Sequence, residues 1–241
     1  MHFSFIKNLE GKELTNEKIR DFRRLLVSQV AIIASIFYLE ISESFGLLLH
    51  PELPETIFFL TLGVYVFLLW DALRNYTNNK TIIMINFVFI IGVFVLGTIV
   101  ANPFINLIYR SGLLYKLLLL FTQISLLIVE GCVIYFTVIE FLKKDFDLST
   151  KLWAAACIYL MSGLAFGSFY EMFCIFDVDC LGIDLPLRTL ALMKRMGYSV
   201  MVLSGMNIPY VPTGVIYMAS TFEALWGQLF VVLIVGRLMI K

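Results

Sequence analysis

The segment "YSVMVLSGMNIPYVP", Tyr198 to Pro212, decides how the C-terminal half of this chain is read. It lies between two long apolar stretches, yet Gly205, Asn207, Pro209 and Pro212 interrupt it. Before it, "LPLRTLALMKRMGYSV" (Leu185 to Val200) has apolar residues at helical spacing, with Pro186 suited to the first position of a helix. A rise of about 1.5 Å per residue makes that helix about 24 Å long, too short for a hydrocarbon core of about 30 Å. It is expected to dip into a membrane and return through irregular backbone at 203–212. Such backbone is tolerated at membrane depth only where protein buries it or where it borders a water-filled cavity.

The rest of the chain requires a membrane. Of its 241 residues, 60% are hydrophobic, and the mean hydropathy is +0.90, far above soluble domains. Six apolar runs are long enough to span as helices, at roughly 25–48, 56–74, 81–106, 112–142, 151–175 and 213–240. Residues 1–24 are polar and are expected to form a cytosolic segment; "LTNEKIRDFRRLL" either lies on the membrane surface or is a solvated leader. No small-residue cleavage site follows, so the first apolar run is read as a retained anchor.

Basic residues cluster in the leader, in "RNYTNNK" (Arg74 to Lys80), in "KKDFDLSTK" (Lys143 to Lys151) and at Arg237 and Lys241. Lysine and arginine are retained on the cytoplasmic side, which implies an inner-membrane, multi-pass protein with both termini cytoplasmic. With 18 basic and 18 acidic residues balancing to a net charge of zero, there is no basic face for nucleic acid.

Metal and enzymatic chemistry receive little support. The four cysteines form no C-x-x-C pair and the two histidines, His2 and His50, are far apart, so no metal ligand set or cofactor is expected. Neither H-E-x-x-H, nor G-x-S-x-G, nor a phosphate-cradling glycine loop occurs; the chain is read as a non-enzyme. Cys174 and Cys180 in "CIFDVDC" are either a disulfide, if that loop faces an oxidising compartment, or two free thiols.

Span, short helix, irregular strand, span is also the order of a potassium-channel pore module. "LWAAACIYLMSGLAFGSFYEMF" (Leu152 to Phe173) resembles the outer pore helix of bacterial six-span members of the two-transmembrane ion-channel family, and "TFEALWGQLFVVLIVGRLM" (Thr221 to Met239) resembles its inner helix. The resemblance covers residues 148–241; the four spans in 25–147 are similar in number and length only. It implies an all-α, six-span protein with a re-entrant pore helix. It also implies a homotetramer, since one subunit supplies a quarter of such a pore, and monovalent ions as partners besides the lipid bilayer. Gly227 falls at the family's inner-helix hinge, and Glu223 at one of its polar positions.

The family's filter, T-V-G-Y-G, replaces potassium's hydration shell with backbone carbonyls. Aligned forward, it falls on Gly205 to Pro209; aligned backward, on Ser204 to Ile208. Neither register keeps a glycine where positive φ is required. Asn207 tolerates that conformation, Ile208 only under strain, and Pro209 is barred by its fixed φ. Ser204, Gly205, Met206, Asn207, Ile208 and Pro209 are therefore the residues expected to line a path of weak or altered selectivity. The alternative reading is a non-conducting structural or sensing subunit, with the stiff 208–212 segment as a plug.

Charge within the membrane supplies the remaining candidates. Arg188, Lys194 and Arg195 on the short helix either form a cation-rejecting ring or are paired, Arg188 with Asp184 and Lys194 or Arg195 with Glu223. Arg110 and Lys116 are too few for a voltage sensor. Glu130, in the fourth span, is either functional or, with Lys116, a structural tie between helices. Gly163 and Gly167 permit close helix approach.

Overall fold

The computed structural model describes residues 11–46, 52–100, 112–142, 148–177, 179–183, 185, 189–206 and 210–239. Within them the chain is all-helical: α1 (Gly11–Ser44), α2 (Glu52–Tyr76), α3 (Lys80–Val100), α4 (Leu113–Leu142), α5 (Leu148–Cys174), α6 (Thr189–Ser204) and α7 (Gly214–Met239). Six are long and apolar enough to span a membrane; α6 is the exception.

The main departure from the sequence reading is at the N-terminus. α1 begins at Gly11 and runs without a break to Ser44, so residues 11–24 are helically continuous with the first apolar run and not a separate segment before it. At 34 residues, about 51 Å, the helix is longer than the hydrocarbon core. Its early part is fixed by packing: Phe22 and Leu25 are fully buried, and so nearly are Lys18 and Asp21. Lys18 Nζ meets Glu140 Oε1 of α4 at 2.9 Å, and Asn75 of α2 donates to Asp21. These polar ties draw the charged end of α1 into the bundle.

One apolar core runs through α1, α2, α4 and α5, takes in Ile90 and Val93 of α3, and reaches α6 at Leu192, Met193 and Met196. α3 and α7 lie at the edges and expose apolar side chains such as Val88, Phe94, Phe222 and Leu229, as a surface in contact with lipid does. Local signals set several boundaries. Asn79 accepts from the backbone N–H groups of Thr81 and Ile82, capping α3. Gly205, at φ 70°, stops α6: its N–H bonds to Val202 O, and that of Met206 to Met201 O, closing the last turn on a left-handed glycine.

α6 runs antiparallel to α5. Arg195 faces Glu171, Ser199 donates to Gly163 O, and Tyr159 donates to Leu203 O. Gly163 and Gly167 make this approach possible, since a Cβ on Gly167 would lie 2.9 Å from Met196 Cα. The chain then turns back beside α6: the Tyr210 ring lies 5.9 Å from that of Tyr198, and Val211 and Thr213 donate backbone bonds to Leu181 and Cys180.

Cys174 and Cys180 are bonded to one another, which resolves the alternative left open by the sequence. The bridge ties the end of α5 to the loop that accepts the backbone bonds of Val211 and Thr213. Closing so short a loop is worth about 2 kcal/mol in the chain-entropy description. Alkylation of the unfolded, unreduced chain is expected to modify Cys132 and Cys157 only, the two free cysteines, with two further adducts by mass after reduction. Four adducts without reductant would refute the bridge.

Candidate functional site

The polar groups of the C-terminal half converge where α5, α6 and α7 meet. Glu223 of α7 is fully buried; Ser199 of α6 donates to its Oε1 and Tyr170 of α5 donates to its Oε2. One carboxyl group thus ties three helices through two hydroxyls. About a turn nearer the disulfide end, Arg195 Nη1 lies 2.5 Å from Glu171 Oε2, with both residues excluded from the surface. From Tyr170 the rings of Tyr170, Tyr198 and Tyr210 meet edge to face in succession, a favoured aromatic geometry.

These contacts revise the expected pairing. Arg195 is paired, but with Glu171 rather than Glu223, and Glu223 takes hydroxyl donors instead of a cation. The reason is register: Glu171 sits opposite Arg195 across the antiparallel α5–α6 seam, whereas Ser199, one turn further along α6, is the residue that reaches α7. Lys194 lies on the half-buried flank of α6. Arg188 and Asp184 lie outside the described residues, as do Asn207, Ile208 and Pro209.

Of the segment expected to line a path, Ser204, Gly205 and Met206 are described, and all three are exposed. Their depth follows from α5: Tyr159, whose hydroxyl reaches Leu203 O, lies 15 residues before Cys174, about 22 Å along the helix. The end of α6 is thus held near the middle of the bundle, with Ser204 to Met206 exposed just beyond it. Gly227 of α7 lies against it so closely that a Cβ there would come within 2.3 Å of Leu203 O.

A second polar cluster lies in the N-terminal half. Tyr65 of α2 donates to Glu130 Oε1 of α4 at 3.1 Å, and Gln29 of α1 donates to Cys157 O of α5 at 3.3 Å. Gln29, Tyr65, Glu130 and Cys157 are all fully buried. Glu130 therefore does tie helices, through Tyr65. Lys116 instead faces the ring of Phe176, 5.9 Å away.

Sequence reading had singled out Glu223, Arg195 and Glu130 but passed over Glu171, Tyr170, Ser199, Gln29 and Tyr65. Glu171 was legible, as an acidic residue within an apolar helix is a candidate by default. The hydroxyl and amide partners carry no such signal, because serine, tyrosine and glutamine are common in membrane helices and only the packing selects which of them meets a carboxyl group. Comparison with protein-family models, curated proteins and solved structures finds no match to this chain.

Proposed function

We propose that this protein is the subunit of a channel-like homotetramer in which α6 is a re-entrant helix and the segment after it borders a shared axis. The observation that carries the reading is the exposure of Ser204, Gly205 and Met206 on the isolated subunit, at the depth of Tyr159. Backbone that has left its helix cannot face hydrocarbon without losing its hydrogen bonds, so a neighbouring subunit or water must cover it. Four copies packed along α7 supply both. Ser204 to Pro209 are then the path, Gly227 is the point where the inner helix meets it, and the absence of a T-V-G-Y-G sequence leaves monovalent ions only weakly distinguished.

Orientation follows the same logic. The disulfide belongs in an oxidising compartment, and the lysine and arginine clusters in the opposite connections belong in the cytoplasm. Both termini of this inner-membrane protein are then cytoplasmic and α6 enters from outside.

Purified protein in planar bilayers tests the proposal. A tetrameric mass by light scattering and a current under potassium or sodium gradients are expected, with less than about ten-fold preference between the two cations. Ser204→Cys is expected to make that current sensitive to a thiol reagent. A monomer without current sinks the reading. A tetramer silent under potassium, sodium and chloride gradients supports instead a non-conducting sensing subunit. That second reading is favoured by the way Tyr159 and Gly227 pin the end of α6.

A further inference from the structure

A cavity of about 430 Å³ lies away from the α5–α7 site, between α2, α3 and α4, with the first turn of α6 at its end. That volume falls within the range of small-molecule pockets, about 300–1,000 Å³. Its walls are apolar, formed by residues such as Phe58, Val66, Val93, Phe94 and Leu119. Leu60, Val64 and Phe67 also line it and are exposed on the outer face of α2, so the cavity opens sideways towards the lipid rather than towards water. Two glycines keep it open: Gly63 has only the Phe94 ring near its missing side chain, and Gly97 has nothing within 4 Å.

One group in this wall lacks a match. Gln123 of α4 is 3% exposed and lines the cavity, and its buried Oε1 has no hydrogen-bond partner. The neighbouring hydroxyls are already committed, Thr98 to Phe94 O and Thr122 to Leu118 O. A buried amide oxygen left unpaired costs about 1–3 kcal/mol, and an apolar cavity holding one such group is built like a ligand site, with a greasy body and a single polar anchor. No charged residue lines it, so the anchor does not suit a charged headgroup.

We propose that this cavity binds a neutral amphiphile from the bilayer, a single apolar chain ending in a hydroxyl that donates to Gln123. Through Thr189 and Leu192, which close the far end, the bound chain touches the start of α6 and so reaches the element that carries the candidate path.

The test uses the full chain in phosphatidylcholine nanodiscs, photolabelled with a diazirine derivative of dodecan-1-ol and mapped by mass spectrometry. Labels are expected on the cavity-facing residues of α2, α3 and α4, with dodecan-1-ol competing about five-fold better than dodecane. Gly97→Leu, which fills open space, is expected to abolish the labelling. Gln123→Leu is expected to keep it while making the two competitors equal. Labels spread evenly around the lipid-facing belt, labelling unchanged by Gly97→Leu, or equal competition on the native protein would each overturn the proposal.

Discussion

Replacing Arg195 by methionine is expected to destabilise the protein by about 3–5 kcal/mol, the range found when one partner of a buried ion pair is removed. The reason lies in what is left behind: Glu171 is 1% exposed, and without the guanidinium its carboxyl group would stay buried in the α5–α6 seam without the cation it now meets. Replacing both residues, in Glu171→Met with Arg195→Met, removes the orphaned charge as well, and the double variant is expected to recover most of the loss. Unfolding in detergent micelles, followed by helix content, measures all three. The same series separates pairing from a cation-rejecting ring. A ring would change ion preference in the surviving protein and leave the double variant as altered as the single one. The buried pair predicts lost stability, rescue, and unchanged preference.

Gly227→Ala is expected to be the second most damaging of these changes. Its new methyl group would lie 2.3 Å from Leu203 O and 3.2 Å from Leu203 C. The obstacle is backbone at the end of a helix, which cannot swing aside as a side chain does, so α7 must move away from α6. Overpacking of this kind costs about 1–3 kcal/mol. The effect also reaches Glu223, one turn back on α7, whose bond to Ser199 spans the same two helices; losing it exposes a buried carboxyl group to the penalty of an unmet partner. Gly131→Ala is the control, as a methyl group there meets nothing within 4 Å, and it is expected to be neutral or to stabilise α4 by up to about 1 kcal/mol. Equal unfolding midpoints for the Gly227 and Gly131 variants would show that Gly227 is a free hinge rather than a packing site.

The lesson of the N-terminus is that amphipathic charge is a weak guide when its partners are distant in sequence. "LTNEKIRDFRRLL" has the composition of an interfacial segment, yet Lys18 is drawn inward by Glu140, 122 positions away in the chain. A local window contains the cation and not the carboxylate, so it assigns the lysine to water. The opposite case is Gly163 and Gly167. Their spacing alone signalled close approach, and α6 occupies the space they leave.

By itself the sequence determined the membrane class, the six spans and the position of a short helix between the last two. Those features depend on how many consecutive apolar residues are needed to cross a bilayer and on where proline and glycine stop a helix, and both are local quantities. Tertiary structure decided which charges meet. The antiparallel register of α5 and α6 gave Arg195 to Glu171 and left Glu223 to two hydroxyls, because a pairing across a seam is set by helix rotation and offset, which no single segment encodes.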